Sequence, residues 1–274
     1  MKKEDRNELI VNAASKVHEV WCEGELKAYY ERFAEAIKTA KTYKRALYEA
    51  CYKNNKRRNY VEFLDPVFLD FHELWVSELY KTFNGFKHLI KLGCFSVKRF
   101  VKRNLAEEEI TKMGFDYNPK TQEENILRPF CDLSTDSQKE NLSAAFGAVA
   151  VYEEYMKRGF TREQLGSEQL KAEIGTLIHT DWMRRNEITN SNKHLFVPYS
   201  ELDDWTKQQD LDVFYAILEE VNKNPEKYMV EKEDGLGEFD VIAAEKAIIE
   251  TKLSNLKLIE TNNTPKKKKK WLIF

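Results

Sequence analysis

Residues 127–142 read LRPFCDLSTDSQKENL and residues 196–211 read FVPYSELDDWTKQQDL. Laid over each other without a gap, Pro129 meets Pro198, Phe130 meets Tyr199, Asp132 meets Glu201, Leu133 meets Leu202, Asn141 meets Asp210 and Leu142 meets Leu211. An aromatic residue after a proline fixes the chain direction and plants a ring, and the acidic-Leu step starts the next helix. Upstream, VHEVW at 17–21 matches IHTDW at 178–182. His and Trp three apart share a helical face and can line one hollow with the later aromatic residue. The pattern reads as an internal duplication. Its two copies are spaced differently: His179 precedes Pro198 by 19 residues and His18 precedes Pro129 by 111, so the first copy carries an insertion of about 92 residues. A third His-x-x-Trp, His72 to Trp75, has no Pro-aromatic partner at comparable distance.

Around these segments the chain reads as all-α. Ten glycines and six prolines in 274 residues are roughly half the usual share, so turns are scarce and long helices are favoured. Helical spacing runs from Glu4 to about Asn54, bent or broken at Gly24, and resumes from near Pro66 to Phe83, from Gly85 to Arg103 and from Ala106 to Met113. Gly114 to Asp136 is a loop with room for short extended pieces. Further helices are expected over Asp136 to Arg158, capped by Ser134 or Thr135, and over Ser167 to Asn186, Asp204 to Val221 and Val241 to Leu256. The domains expected are residues 1–160, a degenerate first unit with a helical insertion at about 31–110, residues 161–258, a second unit, and residues 259–274, a basic flexible tail.

The formal net charge is −2, and Lys266 to Lys270 supply +5 of it, so the rest stands at −7. That argues against a double-stranded nucleic-acid partner. The N-terminal residues hold no signal-peptide core and no run of 18 apolar residues occurs, so no membrane span and a cytoplasmic location are expected. Cys22, Cys51, Cys94 and Cys131 form no C-x-x-C pair and read as mostly buried thiols, with no metal site and no cofactor implied. Phosphate-cradling glycine loops, H-E-x-x-H and G-x-S-x-G are absent, and the expectation is a non-catalytic protein.

The second unit, IHTDWMRRN at 178–186 followed by LFVPYSEL at 195–202 and Lys207 three before Asp210, resembles the ryanodine-receptor repeat (RyR) domain. That family pairs a helix bearing H-x-x-W with an L-x-P-Y loop, an acidic-Leu step and a Lys that opens the second helix. The first unit is similar but degenerate: Gly114-Phe-Asp-Tyr117 matches the family's G-W-x-Y turn with Phe for Trp, Pro129-Phe130 stands for Pro-Tyr, and Gln138 stands where Lys207 does. The second unit lacks the G-W-x-Y turn. The resemblance covers some 80 to 100 residues by this reading. It implies a small helical module found in animal calcium channels and as a stand-alone domain of bacteria and their viruses, some members of which bind adenine nucleotides.

A nucleotide binder stacks the base on aromatic faces and meets phosphates with Arg or Lys. Trp182 and Tyr199 offer surfaces, and Arg185, Asn186, Lys207, His179 and Asp210 offer polar contacts; His18, Trp21 and Phe130 are their counterparts in the first unit. Lys87, Lys91, Lys98 and Lys102 follow helical spacing and form a candidate phosphate stripe. The same residues equally suit a packing nucleus: Trp182 and Tyr199 as core, the histidines as hydrogen-bonded supports, and Lys207 and Arg185 as surface charges. The preferred expectation is sequestration of a small anionic, nucleotide-derived ligand, as a viral sponge acting against bacterial immune signalling would do. A protein-interaction scaffold and a nucleotide-processing enzyme are the alternatives, and a homo-oligomer is left open.

Overall fold

The computed structural model describes residues 1–39, 59–63, 82–91, 95–189, 192–236 and 240–263. Most of these are helical: α1 Lys3–Thr39, α2 Phe83–Lys91, α3 Glu107–Met113, α4 Thr135–Lys157, α5 Arg162–Leu165, α6 Glu168–Arg185, α7 Asp204–Lys223 and α8 Val241–Asn263. Four strands accompany them: β1 Asn59–Phe63, β2 Phe95–Lys102, β3 Tyr117–Asn118 and β4 Glu123–Asn125. The chain divides into two compact units, a nested one of residues 14–142 and a flanking one of residues 1–13 and 143–274. Helices α1 and α4 each pass from one unit into the other. The duplicated segments fall one in each unit.

In the nested unit, α1 continues through Gly24. A single interior glycine costs a helix ~1 kcal/mol, too little to end one of this length. Tyr29 and Phe33 of α1 pack against Phe86 of α2, with ring centres 5.8 and 5.7 Å apart. The expected helix over Gly85 to Arg103 is corrected here: α2 stops at Lys91 and Phe95–Lys102 is a strand. The strand is central in an antiparallel sheet of order β1-β2-β4-β3, pairing Tyr60 with Lys98 and Lys102 with Glu123. Val97 and Val101 favour extended backbone, and a lysine spacing of four fits one face of a strand as well as one face of a helix. The insertion is therefore not wholly helical. Leu105, Met113 and Tyr117 form a small core with Ile110 packed against it, and the Tyr117 hydroxyl donates to the Arg103 carbonyl at 3.0 Å.

In the flanking unit the apolar faces of α6 and α7 meet through buried Ile174, Ile178, Phe214 and Ile217. Tyr152 of α4 is fully buried and donates its hydroxyl to the Tyr228 carbonyl at 3.1 Å. The four-residue α5 is held by a reciprocal cap, Thr161 accepting from the Gln164 amide while Gln164 accepts from the Thr161 amide. Helix α8 packs on α6 and runs to Asn263, so residues 259–263 belong to it and not to a flexible tail. The remainder of that tail, the helix expected over residues 66–81, the His72–Trp75 pair, Cys51 and Cys94 lie outside the described residues. Cys131 is exposed, against the expectation of buried thiols, because its 3₁₀ turn lies at the surface. Among the described residues no helix is long and apolar enough to cross a membrane.

Candidate functional site

The two copies of the duplicated segment adopt one geometry. Pro129 has φ −54° and ψ 144°, Pro198 φ −53° and ψ 143°; each opens a three-residue 3₁₀ turn, Phe130–Asp132 or Tyr199–Glu201. Leu133 and Leu202 follow with φ −68° and −66° and ψ 156° and 154°. The next side chain caps the following helix, Ser134 accepting from the Ser137 amide and Asp203 from the Thr206 amide. Gln138 then donates to the Cys131 carbonyl at 3.4 Å, and Lys207, its counterpart, donates to the Ser200 carbonyl at 2.9 Å. Lys207 is thus a clamp on the connection between the helices.

The histidines repeat as well. His18 Nε2 contacts the Arg128 carbonyl at 2.8 Å, and His179 Nε2 contacts the Val197 carbonyl at 3.2 Å and that of Leu195 at 3.0 Å. Arg128 and Val197 are the corresponding residues before the prolines. The ring of His18 stacks on Trp21 at 5.7 Å and lies 6.4 Å from Phe130; that of His179 stacks on Trp182 at 5.8 Å and lies 6.3 Å from Tyr199. A partner from the second helix completes each set: Asn141 hydrogen-bonds His18, and Asp210 Oδ2 lies 3.0 Å from His179 Nδ1. Burial lowers the pKa of His18 below 6.5, and the bonds to Arg128 and Asn141 oppose it. Burial raises the Asp210 carboxyl above its ordinary 3.8, with His179 pulling it back.

In the second copy the expected ligand contacts are engaged with one another. His179 is buried with both ring nitrogens occupied. Trp182 packs between His179 and Phe196 and against Ile248 and Ile249. Tyr199 is buried, its amide donating to Glu245 at 2.7 Å and its hydroxyl to the Lys207 carbonyl at 3.4 Å. Gly175 makes this possible, since a Cβ there would stand 2.2 Å from the Tyr199 ring. Arg185 is bound to Asp181 at 2.7 Å, and Asn186 ends α6, donating to the Trp182 carbonyl while its own carbonyl accepts from Lys252.

The four lysines do not share one helix face. Lys87 and Lys91 lie on α2, Lys98 and Lys102 on β2. Lys87 donates to Glu23 at 2.6 Å, Lys102 is exposed, and Lys98 sits 3.9 Å from Asp116.

Around Trp21 the first copy differs from the second. The Arg99 guanidinium lies 5.0 Å from the Trp21 ring centre and is paired with Glu25. Arg128 reaches Asp116 only at 3.5 Å, and its Nε and Nη1 are buried with no hydrogen-bond partner among the described residues. Asp116 also accepts from Asn125 at 2.8 Å, and its neighbour Phe115 is 97% exposed. The sequence pattern marks Trp21 and Lys98 as contacts but not Arg128, Phe115 or the stacking of Arg99. The available signal was the substitution of an arginine for Val197 at the residue before the proline, together with the G-F-D-Y turn. Among the described residues no group of three or more His, Cys, Asp or Glu is placed to hold a metal ion. No family model, no curated protein and no solved structure matches this chain.

Proposed function

We propose that the protein binds a small anionic, nucleotide-derived ligand without transforming it, and that the first copy, around Trp21, carries the site. The observation that supports this reading is Arg128, whose Nε and Nη1 are buried with no hydrogen-bond partner among the described residues, Nη1 reaching the Asp116 carboxylate only at 3.5 Å. Such donors cost a fold about 1–3 kcal/mol unless something accepts from them, and a phosphate oxygen is a suitable acceptor. Arg99 and Lys98 supply further positive charge, while the exposed Phe115 offers an aromatic face for a base. In this reading the second copy, whose polar groups are engaged internally, is a packing unit. The sequence resemblance of the duplicated segments to the RyR domain favours sequestration, the withholding of a signalling nucleotide such as those of bacterial immune pathways.

The test is retention. The purified chain is incubated with mono-, cyclic and ADP-ribose-type nucleotides, and the retained species is released by heat and identified by mass spectrometry. Intact ligand, lost in Arg128→Ala, supports the proposal. Product in place of ligand indicates an enzyme, and no retention of any nucleotide favours a scaffold; either overturns it.

A further inference from the structure

The flanking unit contains a cleft of about 1020 Å³ on the face of α6 that carries Glu173, Leu177, Thr180, Asp181 and Arg184. These residues recur at helical spacing, so one face of α6 forms one wall. A face of α4 forms another through Phe146, Ala150 and Tyr155, and α8 contributes Ala244 and Ile248. Trp182, Tyr199 and Arg185 do not line it. Phe146, Tyr155 and Phe160 give the cleft aromatic walls, and the larger part of its lining is apolar.

Its polar groups are biased in sign. Glu154, Glu173, Asp181 and Asp240 line the cleft against Arg158 and Arg184. Both arginines are committed, Arg158 to Glu154 and Arg184 to Asp181. Glu173 accepts from the Tyr155 hydroxyl at 2.6 Å and has no cationic partner among the described residues. Asp240 caps α8, accepting from the Ala243 amide at 2.9 Å. Asp181 lies so close to α4 that a Cβ on Gly147 would meet its carboxylate at 2.2 Å, so glycine is what admits an acidic group to this wall.

Thr180 is the independent sign of an occupant. It is 9% exposed and lines the cleft, and its hydroxyl has no hydrogen-bond partner among the described residues. One turn earlier Thr176 donates to the Ala172 carbonyl at 2.8 Å, the usual resort of a helical threonine. Thr180 leaves that resort unused. On the α4 wall, half-exposed Phe146 already carries one cation, the Arg6 guanidinium 4.5 Å from its ring centre.

We propose that this cleft binds a small organic cation: an ammonium group on a flat apolar body, the ammonium directed to Glu173, the body against Phe146, Leu177 and Ile248, and a polar substituent on Thr180. The acidic bias and aromatic walls attract a cation and repel the phosphates proposed for the Trp21 site, so the two sites are separately testable.

Fluorescence titration of the full chain with 1-naphthylmethylammonium and with 1-naphthoate compares one body carrying opposite charges. The ammonium is expected to bind saturably and about tenfold more tightly, as exchanging a partly exposed ion pair for a like-charge contact would give. Glu173→Gln is expected to reduce that ratio severalfold, and Ala244→Phe, which places a ring at the wall shared with Ile248, to weaken binding severalfold while the helical circular dichroism persists. No saturable binding, equal or reversed preference, or undiminished binding by folded Ala244→Phe overturns the proposal. If Ala244→Phe does not fold, the ratio in Glu173→Gln decides: a reduced ratio supports the site and an unchanged one removes it.

Discussion

His179 holds Asp210 through a 3.0 Å contact between Nδ1 and Oδ2, in the position where the other copy joins His18 to Asn141. The Nε2 of His179 faces two carbonyl oxygens, so every partner of the ring is an acceptor when Asp210 is ionised.

Asp210→Asn keeps an acceptor for the histidine and reproduces the residue of the first copy, so a change of under about 1 kcal/mol is expected at neutral pH. Asp210→Ala strands a buried donor and is expected to cost about 1–3 kcal/mol. The sign of the pH effect also differs. A carboxyl raised in the folded state contributes stability that is present below 3.8 and lost as pH rises through the folded value. Asp210→Asn should therefore gain on the native protein as pH is raised through that window, as read from denaturant midpoints.

His18 behaves oppositely. With its folded pKa below 6.5, the unfolded chain binds more protons in the window between the two values. Stability is full above 6.5 and declines as pH falls toward the folded value. Amide protection factors at residues 130–133, with the intrinsic pH dependence of exchange divided out, should fall over that range, and His18→Gln should remove most of the dependence.

Gly175→Ala sets two effects against each other. Alanine favours a helix over glycine by ~1 kcal/mol, whereas overpacking costs about 1–3 kcal/mol. The Tyr199 ring cannot yield cheaply, because its amide is held by Glu245 and its hydroxyl by the Lys207 carbonyl. A lower thermal midpoint is expected. The corresponding first-copy residue is Ala14, and Phe130 is there less buried than Tyr199.

Arg128→Met separates function from fold. Removing a buried guanidinium that has no hydrogen-bond partner at Nε or Nη1 among the described residues, and only a 3.5 Å ion pair with Asp116, should change stability by less than about 1 kcal/mol, while nucleotide retention should fall about ten- to a hundredfold. Parallel loss of both would make Arg128 a purely structural residue.

The duplication was legible because its determinants are local: a proline, a ring after it, a capping side chain and a histidine one helix earlier. Whether the rings enclose a hollow or fill it depends on Gly175 and Glu245, which lie outside the matched segments. Strand β2 was hidden because its partners at 59–63 and 123–125 are distant in sequence and its lysines satisfy a helical period. Lys207 suits a ligand contact by residue type alone, whereas its bond to the Ser200 carbonyl repeats that of Gln138 to the Cys131 carbonyl.

Because α1 and α4 run unbroken across the 13/14 and 142/143 borders, neither compact unit is a natural cloning fragment. A cut at either border falls inside a helix and strips backbone amides or carbonyls of their partners on both sides of the break. Dissection of the molecule is better done by point substitution in the intact polypeptide than by expressing its halves.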